Sequence, residues 1–160
     1  MAGPRPGLAV IWVTFFVALC LTLLPLPGWA EPLRPEWVLL ALIYWSMALP
    51  HRVGLGTAWI LGLLVDVAKG AVLGQHALCM TFTVYIVLRT YLRVRNFPVW
   101  QQSAVIAVLL TVYESLIFML DGFLGHALPA WHWPAIITGA MVWPVVFSLL
   151  RGLRRRYQVA

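Results

Sequence analysis

Six apolar runs, separated by short polar or proline-rich breaks, dictate almost everything this chain can become. The first extends from Leu8 to Leu24 and is closed by Pro25 and Pro27. The others cover residues 36–49, 53–68, 71–88, 99–120 and 134–150. A helix that crosses the roughly 30 Å hydrocarbon layer needs about 20 predominantly apolar residues. The first, fourth, fifth and sixth runs meet or approach that length, and the second and third are short. No water-soluble fold of this size could hide so many apolar runs. Hydrophobic residues make up 62% of the chain and charged residues only 10%, with a mean hydropathy of +0.90. An average soluble domain is about a quarter charged. The fold expected is therefore an all-α membrane protein with six transmembrane helices, forming one integral membrane domain over residues 1–160.

Short breaks set the order of the helices. Pro35 suits the first helical position of the second segment, because proline lacks the N–H that a helix start leaves unpaired. Pro50-His51-Arg52 forms a polar turn before the third segment, and Lys69-Gly70 a tight break after it. Residues 36–68 could also form a hairpin that enters and leaves on one side, and segments three and four a re-entrant pair. Two short spans within a bundle are the preferred reading, since modest mismatch with the bilayer is tolerated. Pro144 removes one backbone hydrogen bond from the sixth helix and is expected to kink it.

The net charge of +6 could suggest nucleic acid, but the eleven basic residues sit between apolar runs. With the N-terminus inside, nine of the eleven lie in cytoplasmic stretches: Arg5, Arg52, Arg89, Arg93, Arg95, Arg151, Arg154, Arg155 and Arg156. Only Arg34 and Lys69 fall outside, with Glu31, Glu36 and Asp121. Such an asymmetry places both termini in the cytoplasm and favours an even number of spans. Trp29, Trp37, Trp131 and Trp133 would then lie at the outer interface and Trp100 near the inner one. Arg5, the first apolar run and Gly28-Trp29-Ala30 also have the outline of a signal peptide, but the run is long for one. The basic tail after the last span, Arg151 with Arg154, Arg155 and Arg156, suits anionic lipid.

Few residues offer chemistry. The chain contains no P-loop, GxGxxG, HExxH or GxSxG pattern. Cys20 and Cys79 lie in apolar stretches and read as packing residues, and His126 and His132 lack a close third metal ligand. No cofactor is expected. The ionisable residues inside the apolar runs carry more information. Asp66 and Glu114 both fall in the outer half of the bilayer, with Lys69, Gln75 and His76 at similar depth. A charge in hydrocarbon costs about 2.5–3.5 kcal/mol on insertion scales, so these groups face the bundle interior and find partners. They form either a periplasm-facing polar pocket or proton path, or a buried Asp66–Lys69 or Glu114–Lys69 pair that fixes helix register. Separately, Gly54, Ala58, Gly62, Asp66, Gly70 and Gly74 recur every fourth residue. Small residues at that spacing make a groove, filled either by a helix of the same bundle or by a partner's transmembrane helix.

Several of these stretches together resemble the MreD family of bacterial rod shape-determining proteins. The residues concerned are Arg34-Pro35-Glu36-Trp37-Val38-Leu39-Leu40, Tyr44-Trp45 and Ala48-Leu49-Pro50-His51-Arg52-Val53-Gly54. Gly62-Leu63-Leu64-Val65-Asp66 with Gly70, Leu73-Gly74 and His76-Ala77-Leu78 continue the match. Trp100-Gln101-Gln102, and Trp143-Pro144 followed by the basic tail, extend it over nearly the whole chain apart from the loop between Gly122 and Trp133. The resemblance implies a non-enzymatic inner-membrane component of the elongasome, which builds lateral-wall peptidoglycan. It implies MreC as a direct partner, with MreB, RodA and a class B penicillin-binding protein reached through the complex. It also implies a fold similar to the six-helix substrate-binding component of energy-coupling-factor transporters, hence a periplasm-facing cavity. A small-molecule binding or transport component is the alternative function. An enzyme acting on lipid-linked precursors would need more converging polar residues than Asp66, Glu114 and His76.

Overall fold

The computed structural model describes residues 6–126 and 133–159. Arg5, Trp131 and His132, singled out above, lie outside the described residues. Six α-helices form: α1 (Pro6–Leu23), α2 (Trp37–Ala48), α3 (Leu55–Lys69), α4 (Gln75–Val94), α5 (Val99–Phe123) and α6 (Trp133–Arg156). A single 3-10 turn, Glu31–Leu33, precedes α2, and there is no strand among the described residues. By length and apolar composition α4, α5 and α6 can each cross a membrane, and Gly7–Leu23 is a shorter apolar helix. With 12 and 15 residues, α2 and α3 fall short of the usual span.

Each helix boundary has a local cause. Leu24 precedes a proline, which disfavours helical backbone, so α1 stops at Leu23. Its last carbonyls would be bare, and the Arg34 guanidinium satisfies them, donating to Thr22 O at 2.7 Å and Leu24 O at 2.6 Å. Pro35 does not occupy the first turn of α2. Glu36 caps that helix and Pro35 stands outside it, with the Trp37 N–H bonded to Pro35 O at 3.0 Å. The fourth helix begins at Gln75 rather than Ala71, because residues 70–74 are spent on a turn with two left-handed glycines. At the other extreme α4 and α6 run past their apolar segments. The arginine stems allow this: Arg89 curls back on its own helix, donating to the Tyr85 hydroxyl at 3.2 and 3.1 Å.

The short α2 is the axis of the bundle. Every residue from Val38 to Met47 is buried, and a helix that is apolar all round belongs inside. It packs against α1, α4 and α6. The Trp45 indole N–H donates to Thr14 Oγ1 of α1 at 2.9 Å, and Tyr44 meets Phe147 of α6 edge to face at 5.7 Å. Around this axis α3 pairs with α4, and α5 pairs with both α4 and α6. Gly139 lets α6 approach α5: a Cβ there would lie 2.6 Å from Leu110 Cδ1. Outward faces are apolar as well. Along α6, Ile137, Met141, Val145 and Leu149 form an exposed stripe one turn apart. Trp12, Val13, Phe16 and Val17 do the same on α1, as befits lipid-facing helices.

Helix ends sort by charge. Contacts of Lys69 with Glu36, and of Gln75 with Asp121, gather the start of α2, the α3–α4 turn and the end of α5 at one end. All five acids of the chain fall towards that end, with Glu114 two turns deeper than Asp121. The opposite end holds Arg52, the arginines of the α4–α5 turn and the tail of α6. There Val159 folds back on Gly7, where a Cβ would lie 3.2 Å from Val159 Cγ1. Both extremities of the described chain therefore sit at the basic end.

Candidate functional site

At the acidic end several polar residues bond to one another. Asp66 stands in the last turn of α3 and is fully buried. Its Oδ2 accepts the Gly74 N–H at 2.9 Å, and its Oδ1 accepts the His76 N–H at 2.9 Å. The His76 ring Nδ1 lies 2.8 Å from the same Oδ1, and the Ala77 N–H approaches Oδ2 at 3.5 Å. A helix start exposes backbone donors that hydrocarbon cannot satisfy, so a carboxylate lent by the preceding helix is a fitting cap. Gly70 (φ 65°) ends α3, with the Ala71 N–H reaching Asp66 O at 2.9 Å, and Gly74 (φ 98°) starts α4. Left-handed backbone at both positions favours glycine. Asp66, Gly70 and Gly74 are thus parts of one turn.

Lys69 makes its ion pair with Glu36 rather than with Asp66, one of the pairings weighed from the sequence. Its Nζ lies 3.3 Å from Glu36 Oε1, tying the end of α3 to the start of α2 at a partly exposed position. Gln75 Nε2 donates to Asp121 Oδ1 at 2.7 Å, so α4 is fastened to α5, and His126 Nδ1 stands 3.5 Å from the same carboxylate oxygen. The His76 ring rests against Tyr113, ring centres 6.4 Å apart, with Glu114 buried beside Tyr113 on α5. Asp66, Gln75 and His76 are brought together, Lys69 belongs to a separate contact, and Glu114 lies deeper. Asp121 was read from the sequence only as a loop charge. Its spacing of seven from Glu114, two helical turns on the same face, was the available signal.

The small-residue series is divided by the fold. Ala58 is fully buried and Gly62 is covered by the start of α4: a Cβ on Gly62 would lie 2.6 Å from the Ala77 nitrogen. Gly54 is the N-cap of α3, and Gly70 and Gly74 belong to the turn. The five residues therefore do not line one continuous groove, and its central position is filled from within.

Residues that carried the family resemblance hold turns. Arg34 caps α1 as described. Pro50 follows α2 in a turn where the Arg52 and Val53 N–H groups both bond to Leu49 O at 3.0 Å, and Trp37 packs half-buried against the core. Trp100 is 71% exposed at the start of α5, whereas Gln102, about half a turn further round the helix, is buried. The Gln102 amide donates to Val94 O and Phe97 O, both at 3.2 Å, and accepts from the Trp143 indole at 3.4 Å. One side chain thereby joins α4, the α4–α5 turn and α6. In the basic tail Arg151 stacks over Phe147 at 5.9 Å, Arg154 Nε reaches Val159 O at 3.4 Å, and Arg155 and Arg156 are exposed.

Comparison with known proteins covers nearly the whole chain. The sequence profile described as rod shape-determining protein MreD matches residues 6–153. The rod shape-determining protein MreD of Haemophilus influenzae is 36% identical over 148 residues, covering 91% of this chain and 90% of that protein. No solved structure matches, so the expected likeness to energy-coupling-factor components rests on the resemblance alone. Six helices, apolar outer faces and a match that spans nearly the whole chain lead to one assignment: the chain belongs to the MreD family of membrane proteins that determine rod shape.

Proposed function

We propose that this protein is a non-enzymatic scaffold of the cell-wall elongation complex in the inner membrane, which docks MreC and so supports lateral peptidoglycan synthesis. The whole-chain family match carries this reading. The geometry supports it in a second way: the conspicuous polar side chains, Asp66, Gln75 and Gln102, are spent on joining helices. In this reading the basic end faces the cytoplasm with both termini, all six helices belong to the membrane domain, and the acidic end faces the periplasm. RodA, a class B penicillin-binding protein and MreB are reached through the complex. Because Gly62 is already covered by α4, the partner's transmembrane helix is assigned to exposed apolar faces of the bundle, the stripes on α1 and α6 among them.

Co-purification tests the docking. Tagged protein solubilised in mild detergent is expected to retain MreC co-expressed from the same host. Large polar substitutions at Met141 and Val145, or at Val13 and Phe16, are expected to release MreC while the monodisperse elution of the bundle is kept. Failure of the unmodified pair to co-purify, with both proteins intact, overturns the proposal. A periplasm-facing binding component would instead retain a small ligand, and its retention would depend on the polar residues of the acidic end.

A further inference from the structure

The basic end contains a cavity of about 400 Å³, walled in part by two arginines of the tail that suits anionic lipid. It opens between the end of α2, the α4–α5 turn and the last turns of α6. Arg95, Arg151 and Arg154 line it from two separate elements, with Tyr44, Gln102 and Phe147 in its walls. No carboxylate reaches any of these three arginines among the described residues, because every acid of the chain lies towards the opposite end. Arg151 has the Phe147 ring beneath it and Arg154 the carbonyl of Val159, so neither contact neutralises a charge. Like charges converging on one cavity are costly unless an anion joins them. The guanidinium fork is suited to phosphate oxygens, which it can bind in bidentate fashion.

We propose that this cavity is a specific binding site for the phosphate-bearing headgroup of an anionic phospholipid. Arg95, Arg151 and Arg154 hold the phosphate, and the Tyr44 hydroxyl lies beside Arg154 at the wall. Its size favours a headgroup over a free ion. At about 30 Å³ per water, the volume is worth roughly a dozen waters, which exceeds what one inorganic phosphate fills. The lining is also graded, with Met47, Val99 and Phe147 apolar and the arginines basic, as a site spanning headgroup and acyl boundary requires. Trp100 and Phe97, exposed nearby, suit the same interfacial depth. The assignment of the lipid to the inner leaflet rests on the orientation proposed above, whereas binding itself does not.

Native mass spectrometry of the full chain in detergent, with added phosphatidylglycerol or phosphatidylcholine, tests the site. Phosphatidylglycerol is expected to bind at least about tenfold more tightly, a gain in keeping with two or three arginines near a lipid phosphate. R95Q/R151Q is expected to bring binding down to the phosphatidylcholine level. R89Q/R93Q removes the same charge from the same end outside the cavity and is expected to leave the preference in place. If both double variants lose it equally, the attraction is diffuse and the proposal falls. Sodium phosphate raising the thermal midpoint where phosphatidylglycerol does not would assign the same arginines to free phosphate and overturn the lipid. A glutamate-rich peptide that binds more tightly than phosphatidylglycerol would assign them to protein and overturn it too. Both substituted arginines are exposed, and should R95Q/R151Q lose its monodisperse elution, R151E alone carries the comparison with the same expected loss. Because detergent erases sidedness, failure here is separable from failure of the orientation, which fusions in cells report.

Discussion

A carboxylate inside an apolar helix is costly unless several donors converge on it, and Asp66 has them. Two backbone N–H groups and the His76 ring stand within 2.9 Å of its oxygens. Asp66→Ala strands those donors at a buried helix start, at about 1–3 kcal/mol for each one left bare. The expected result is a clear fall in the thermal midpoint of detergent-purified protein, with faster hydrogen exchange at residues 74–77. Asp66→Asn keeps one acceptor oxygen but loses the charge assistance, and its loss is expected to be smaller. Gly62 gives a second residue-scale prediction. Ala77 backbone occupies the space where a side chain would grow, so Gly62→Leu is expected to abolish folded, membrane-extracted protein rather than release a partner selectively. Folded protein that has lost only MreC would instead place a partner at that glycine.

Helices here are joined by single polar side chains, and Gln102 shows how much one can hold. Removing its amide leaves Val94 O, Phe97 O and the Trp143 indole without that partner. Gln102→Leu is therefore expected to cost about 1–3 kcal/mol, because buried polar groups are stranded. Hydrogen exchange at residues 95–98 locates the damage if the thermal midpoint falls. Element number and order were readable from the apolar runs, since each helix of the bundle is a continuous apolar stretch and turn residues separate them. Helix ends were less so. Arg89 and Arg151 read as stops, yet α4 and α6 continue through them, because a charged stem can stay on its helix while its head seeks polar atoms. The turn of residues 70–74 looked like a packing motif, since GxxxG spacing says nothing about whether the backbone between the glycines is helical. Asp66, Gln75 and His76 were identifiable as a buried polar group. The Asp66–His76 and Gln75–Asp121 bonds were not, because they depend on how α4 folds back over α3 and lies against α5.

Over the whole molecule the separation of charge is the property from which orientation follows. Among the described residues, ten basic residues and five acids are distributed so that the acids share one end with Arg34 and Lys69. Positive residues resist translocation, so the orientation proposed above keeps the arginine-rich end on the cytoplasmic side. A fluorescent protein fused after the last residue is expected to fluoresce, and alkaline phosphatase fused there to be inactive. The phosphatase is expected to be active when fused in the segment between α1 and α2 or after Lys69. In the proposed orientation two separate groups would hold the chain, Arg89 and Arg93 at the end of α4 with Arg95 in the turn after it, and the tail with Arg151, Arg154, Arg155 and Arg156. Replacing the four tail arginines by glutamine is expected to leave the fusion pattern unchanged, because the turn still anchors α4 and α5. Replacing all seven leaves Arg52 as the one cation of the described helix connections at that end, and mixed orientations are then expected. Phosphatase activity at the C-terminus of the tail variant alone would mean that the tail, and not the distribution over the molecule, sets the orientation.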